Sequence, residues 1–274
     1  MPDHYAVVGN PVAHSQSPRI HALFAEQTGE DIRYDRLEAP LEGFADRVRT
    51  FFDQGGHGLN VTVPFKQEAW QLADFRTPRA EHAGAVNTLI RHADGRLEGD
   101  NTDGVGLVRD LINNHDVLIR GRRVLILGAG GAVRGILLPL VEQAPLELVI
   151  ANRTLSRAEG LLPLCHGVTR DALAFDDLAA EHPFDLVING TSAGLDGGMP
   201  PLPDGLLSAD AAVQEMAYGT DGSAFRDWAR DQGASRTIDG LGMLVEQAAE
   251  SFFLWRGVRP RTAPVIEELR ADLG

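Results

Sequence analysis

"VLILGAGGAVRG", residues 124–135, is the stretch on which the fold of this sequence turns. Val124 to Leu127 are apolar without alternation, as a strand buried on both faces of a parallel sheet must be. Gly128, Gly130 and Gly131 follow at once, interleaved with Ala129 and Ala132, and a helical pattern opens behind them. A glycine loop in that place lets the backbone approach a pyrophosphate at a helix N-terminus. The competing reading is a glycine turn that merely joins strand to helix. The third position of the G-x-G-x-x-G/A fingerprint carries Val133 unless the register slips to Ala132, and Val133 there predicts slightly wider packing of strand against helix. From Arg122 onward strand and helix alternate through "RRVLILGAGGAVRGILLPLVEQ", "LELVIANRT", "FDLVINGTS" and "AAVQEMAYG". The expectation is a Rossmann-type, doubly wound dinucleotide-binding domain over residues 104–239.

The cofactor is read at the end of the second strand. About twenty residues past the loop, an NAD-binding chain offers Asp or Glu to the ribose hydroxyl. Here stands "ANRTLSR", in which Asn152, Arg153, Thr154 and Arg157 supply neutral donors and two guanidiniums. Forked guanidiniums suit a 2'-phosphate, so the expected cofactor is NADP. A solvated, arginine-bearing surface loop is the alternative.

Upstream, residues 1–103 read as a mixed α/β domain. "YAVVG" is a strand, and "SPRIHALFAEQTG" a helix with Ser17 as N-cap, Pro18 at its first position and Gly29 after its end. "IRYDRLEA" is a second strand, "LEGFADRVRTFFDQG" a helix, and "AVNTLIRHADGRLEGDNTDG" a hairpin turning at Asp94-Gly95. In "GLNVTVPFKQEAW", residues 58–70, Leu59, Val61 and Val63 alternate with Asn60 and Thr62, a half-buried strand that stops at Pro64. Lys66 then falls at the carboxyl end of the sheet, where open α/β folds place their ligands. It reads either as a ligand-facing lysine or as a solvated helix-start residue. Ser15 and Ser17 in "HSQSP" flank a helix start that is either an anion site or simply capped. Asn87 sits at a strand, and Asp103 stands just before "VGLVRDLINN", where an N-cap aspartate is the structural default. Donors for a carboxylate, an amide and a carboxylate for hydroxyls, and a nearby lysine together suit a small polyhydroxylated acid. Residues 240–274 read as two more helices.

Composition narrows the classes. The 274 residues, 43% of them apolar, suffice for two ordinary cores. With 25 basic against 39 acidic residues and a formal charge of -14, the chain is a poor partner for nucleic acid or anionic lipid. No apolar run approaches the ~20 residues of a membrane span, and the start lacks a signal-peptide layout. The lone Cys165 forms no intrachain disulfide, which suits the cytoplasm. No C-x-x-C or H-E-x-x-H spacing points to a metal.

Taken together, "VVGNPVAHSQSPRIHALF", "NVTVPFKQEA", "AGAVNT", "GDNTDGVG", "LGAGGAVRG", "NRTLSRAE" and "DGLGMLVEQAA" closely resemble the shikimate dehydrogenases, in family order along nearly the whole chain. The resemblance implies an N-terminal substrate domain, a Rossmann NADP domain, C-terminal helices that return to the substrate domain, and an active site in the cleft between. It implies Lys66 and Asp103 as the catalytic pair. It assigns Ser15, Ser17, Thr62, Lys66, Asn87, Asp103, Tyr218 and Gln247 to shikimate. Cofactor contacts fall to Gly128, Ala129, Gly130, Gly131, Ala132, Asn152, Arg153, Thr154, Arg157, Met216 and Gly240. The implied activity is NADP-dependent, reversible reduction of 3-dehydroshikimate to shikimate in aromatic amino-acid biosynthesis, by a monomer or homodimer. Two departures stand out: Pro78 in "FRTPRA" where many relatives carry an acidic residue, which bears on a cofactor contact, and Glu215 in "QEMAYG" where aspartate is common. The rival readings are a relative that also takes quinate or prefers NAD, and a catalytically silent NADP-binding sensor.

Overall fold

The structure, a computed structural model, describes residues 1–191, 198–219 and 223–273. The chain divides into two compact units, Met1–Gly106 together with the chain from Val245 onward, and Leu107–Leu244. The first begins with β1 (Asp3–Gly9), α1 (Ser17–Thr28), β2 (Ile32–Glu38), α2 (Phe44–Asp53), β3 (Gly56–Val61), α3 (Lys66–Leu72), β4 (Phe75–Arg76), α4 (Pro78–Ala83), β5 (Thr88–Arg91), β6 (Leu97–Asp100) and the start of α5 (Asp103–Arg109). Its six strands are ordered β2-β1-β3-β5-β6-β4. The pairs of β1 with β2 and β3 are parallel, whereas β5 runs antiparallel to both β3 and β6. The β5–β6 pair is the expected hairpin, with Gly95 at φ +86° in its turn. Phe44 of α2 stacks on Phe65 at 4.8 Å beneath this sheet.

Two local expectations need correction. Gln16, not Ser17, occupies the N-cap of α1, and its side chain makes no capping bond. Ser17 is the first helical residue, and its N–H donates to Ser15 Oγ at 3.2 Å. Pro18 lacks an N–H and so fits the second position as well as the first, which lets the helix begin one residue earlier. The strand at 58–63 also ends sooner, at Val61, and Val63 is 64% exposed. Asn60 is buried instead of facing water, because the helix that carries Ser251 covers its side of β3: its Nδ2 donates to Ser251 Oγ at 2.9 Å.

The second unit contains a short π-helical extension of α5 (Asp110–Asn114), then β7 (Arg123–Leu127), α6 (Gly131–Glu142), β8 (Glu147–Ala151), α7 (Leu155–Glu159), β9 (Thr169–Leu173), β10 (Phe184–Asn189), β11 (Leu207–Glu215), α8 (Ala224–Asp231) and β12 (Arg236–Ile238). All its strand pairs are parallel, in the order β12-β11-β10-β7-β8-β9. This is the doubly wound dinucleotide-binding order, whose direction reverses between β7 and β10. Val124 and Ile126 enter one buried cluster and Leu125 and Leu127 the other, as an apolar strand sandwiched on both faces requires. The chain closes with α9 (Leu241–Arg256) and α10 (Ala263–Leu273). None of the described helices is long and apolar enough to cross a membrane.

Candidate active site

In the first unit Lys66 opens α3, directly after the chain leaves β3. Its Nζ donates to Asp103 Oδ2 at 2.6 Å. Asp103 is not an N-cap: α5 starts at Asp103 itself, whose N–H donates to Asn101 Oδ1 at 3.2 Å, leaving the carboxylate free to face inward. Asn87 Nδ2 donates to the other carboxylate oxygen at 2.8 Å, and to Thr102 Oγ1 at 2.9 Å. Gln247 of α9 completes the cluster, its Oε1 lying 3.4 Å from both Asn87 Nδ2 and Thr102 Oγ1. The Asp103 side chain is 13% exposed and that of Lys66 28%, so the ion pair is largely desolvated yet reachable. Opposite charges at contact in a drier medium hold each other in place far more firmly than a surface pair.

The structure thus brings Lys66, Asn87, Asp103 and Gln247 together. Ser15 and Ser17 meet each other, hydroxyl to hydroxyl, at 3.1 Å. Thr62 closes the turn that leads to α3, its carbonyl accepting from the Phe65 N–H at 3.0 Å. Tyr218 belongs to the second unit, just beyond β11, and is 37% exposed.

The glycine loop of the second unit joins β7 to α6. Gly128 takes φ +102°, and a Cβ on it would lie 3.1 Å from the Gly190 carbonyl oxygen, so both dihedral and space require glycine. Val133 needs no wider spacing. It is fully buried, and a Cβ on Gly190 would fall 2.5 Å from its Cγ2, so the missing side chain at the end of β10 makes its room. Gly130 caps α6 without a side-chain bond, and a Cβ at Gly130 or Gly131 would meet nothing within 4 Å. The loop's backbone therefore borders open space at a helix start, a cradle for a pyrophosphate. It forms one wall of a cavity of about 860 Å³. Asn152, Arg153 and Arg157 line another part. Both guanidiniums are exposed and make no ion pair among the described residues, so they are free to take a phosphate. These residues fit NADP. Thr154, Met216 and Gly240 lie outside this cavity; the Gly240 N–H instead donates to Ala217 O at 3.0 Å. Of the two departures, Pro78 opens α4, and Glu215 is buried 3.3 Å from Arg226 Nε. Among the described residues no group of three His, Cys, Asp or Glu could hold a metal ion.

This chain is 61% identical over 273 residues to a curated shikimate dehydrogenase (NADP(+)) of Alkalilimnicola ehrlichii, with 99% of this chain and 100% of the relative covered. It belongs to the shikimate dehydrogenase family. Within the family its parts match three models: the shikimate dehydrogenase substrate binding domain at residues 7–89, shikimate / quinate 5-dehydrogenase at 111–195, and the shikimate 5'-dehydrogenase C-terminal domain at 240–270. Among solved structures, an Ael1 enzyme from Pseudomonas putida superposes with a TM-score of 0.93 at 47% identity, covering 97% of this chain and 98% of that one. A shikimate 5-dehydrogenase from Thermus thermophilus, in complex with NADP(H) and shikimate, follows at 0.86 and 32%, covering 98% and 99%.

Sequence reasoning passed over several residues. Asn60, Thr88, Thr102 and Ser251 are buried polar residues hydrogen-bonded around Asn87. The available signal was polar residues inside otherwise apolar elements: Asn60 in β3 and Ser251 in "QAAESFF" of α9. In the second unit Phe175, Asp176 and Thr191 also line the cavity, at strand ends that only the sheet order brings beside the glycine loop.

Proposed function

We propose that this chain catalyses the NADP-dependent, reversible reduction of 3-dehydroshikimate to shikimate, a cytoplasmic step of aromatic amino-acid biosynthesis, with Lys66 and Asp103 as its catalytic pair. The observation that carries the assignment is the 2.6 Å Lys66–Asp103 pair, held within a buried polar cluster in a chain of this family. Reduction of the ketone requires a hydride at C3 and a proton at the C3 oxygen. When bound, NADPH supplies the hydride. The protein's task is the proton and the orientation of the ring. The hydrogen-bonded Lys66–Asp103 pair holds that proton, and gives it up or takes it back according to the direction of reaction. Ser15 and Ser17, at the start of α1, are assigned to the substrate carboxylate, whose charge the helix N-terminus favours. Thr62, Asn87 and Gln247 are assigned to the ring hydroxyls, and Tyr218 to the substrate on the resemblance alone. The glycine loop is assigned to the pyrophosphate, Arg153 and Arg157 to the 2'-phosphate with Asn152 and Thr154 beside them, and Met216 and Gly240 to the remainder of the cofactor. The buried, unpaired Cys165 suits a reducing compartment.

The test is the change in NADPH absorbance with purified protein, on shikimate and on quinate, with NADP and with NAD. Rapid turnover of shikimate with NADP is expected, with the other three combinations slower. No turnover of shikimate with either cofactor would overturn the assignment, and equal rates on quinate or with NAD would move it to the broader dehydrogenase.

A further inference from the structure

The Lys66–Asp103 pair is the end of a longer chain of hydrogen bonds in the first unit. At the far end, Tyr34 donates its hydroxyl hydrogen to Asn60 Oδ1 at 2.7 Å. With its oxygen engaged, the Asn60 amide turns Nδ2 toward Ser251 Oγ, 2.9 Å away. The Thr88 hydroxyl donates to Asn87 Oδ1 at 2.9 Å, and Ser251 Oγ, 2.8 Å from Thr88 Oγ1, shares its one hydrogen between that oxygen and Gln247 O at 3.2 Å. Asn87 Oδ1 also receives the Thr102 N–H at 2.9 Å. With its oxygen held by Thr88 and Thr102, the amide presents Nδ2 to Asp103 Oδ1 at 2.8 Å, and Asp103 Oδ2 faces Lys66.

Thr88 and Ser251 are both fully buried and reach no solvent. Were the Asn87 amide turned over, its carbonyl oxygen would face the Asp103 carboxylate, acceptor against acceptor, and the pair with Lys66 would be displaced. We infer that Thr88 and Ser251 are positioning residues of the proton-transfer pair, acting through Asn87 to keep its amide nitrogen on Asp103. This rests on the assignment of Lys66 and Asp103 to proton transfer. The chain orients and does not conduct, because its links at Asn60 and Asn87 are amides, which do not hand protons on as hydroxyls do.

Three variants and a readout independent of turnover test the inference. Thr88→Val keeps the shape and removes the hydroxyl; Thr88→Ser keeps the hydroxyl and removes a buried methyl; Ser251→Ala breaks the next link. Misplacing a reacting group by a fraction of its contact distance costs turnover more than binding, so kcat should fall roughly ten- to a hundredfold in Thr88→Val and Ser251→Ala with KM little changed. Thr88→Ser should retain wild-type kcat although its Tm falls. If the residues served only packing and stability, kcat would follow Tm, and Thr88→Ser, which loses a buried methyl, would lose kcat along with Thr88→Val; that result, or full kcat in both hydroxyl-deleted variants, overturns the inference. Solvent exchange of the Asn87 side-chain amide protons, followed by NMR, should be slow in the wild type and Thr88→Ser and fast in Thr88→Val and Ser251→Ala. Unchanged exchange in all four proteins would likewise overturn it. An inactive wild type would sink the dehydrogenase reading, while the amide measurement would still decide whether Thr88 and Ser251 hold Asn87.

Discussion

Around Asp103 in the first unit the polar side chains satisfy one another. Asn87 uses both its amide nitrogen and its oxygen on protein partners, and Lys66 and Asp103 meet at 2.6 Å. In the second unit the polar wall of the cavity is left open: two exposed arginines, and a glycine loop whose missing side chains bare the backbone. On the roles proposed for the two centres, the contrast has a physical reason. A proton moves efficiently only between groups already held at the right distance, so those groups are paired before any ligand arrives. A dinucleotide brings its own charges, and donors already spent on the protein would have to be released before binding it. Closed polarity marks the chemistry, and open polarity the grip.

The closed side should break hardest. Lys66→Ala and Asp103→Asn should each lose ~10²–10⁴-fold in kcat while NADP affinity stays unchanged, and the double variant should be little worse than either, since the pair acts as a unit. Steady-state kinetics beside NADP titrations would show this. Near-normal turnover in Lys66→Ala would reduce the pair to an ordinary ion pair and erase the contrast.

The open side should respond in binding alone. Arg153→Ala and Arg157→Ala should each raise the Kd for NADP about tenfold or more, as expected for charge-assisted bonds worth ~1.5–3 kcal/mol, and leave that for NAD nearly unchanged. Because both side chains are exposed, Tm should not move. Equal losses with both cofactors would remove the 2'-phosphate from these arginines.

A smaller effect measures how dry the closed side is. His21 of α1 is fully buried and stacked on Tyr34 at 4.1 Å, with Asn60 beside its ring. Burial pushes its pKa from 6.5 down to about 3. The unfolded chain therefore binds the proton first as pH falls, and stability present above pH 6.5 is lost toward about 3, at up to ~1.4 kcal/mol per pH unit. Urea unfolding of wild type and His21→Phe at neutral and mildly acidic pH isolates this contribution by difference. Parallel pH slopes for the two proteins would mean that the imidazole is hydrated.

Legibility in the sequence followed the range of the interactions. The parallel order around β7 was readable because continuous apolar strands and a glycine loop are local patterns. The helix end at Gly29, the hairpin at Asp94-Gly95, and Arg153 with Arg157 in place of an acid were equally local. The short α4 carried local signals that were passed over, Thr77 at its N-cap, Pro78 at its first position and Gly84 after its end, and tertiary contacts then fasten it. Its Arg79 forks onto Asp100 with two 2.6 Å bonds, and its N-cap Thr77 bonds the same carboxylate at 2.6 Å. Ser17 misled as a cap because Pro18 is compatible with two helix starts, and only the path of the preceding chain chooses between them.

The sequence by itself determined that one unit has a dinucleotide-binding fold, that two arginines stand where an acid would otherwise end the second strand, and which lysine and aspartate stand at element starts, since each property belongs to residues adjacent in the chain. Only the tertiary structure decided how the lysine and aspartate are held. Asn60 and Ser251 are 191 positions apart and Thr88 and Ser251 163, yet each pair shares a buried hydrogen bond. Such bonds have no period and no spacing rule. They form because β3, β5 and α9 converge on the same volume, and a polar atom closed off from water there must find its partner in whatever element lies opposite.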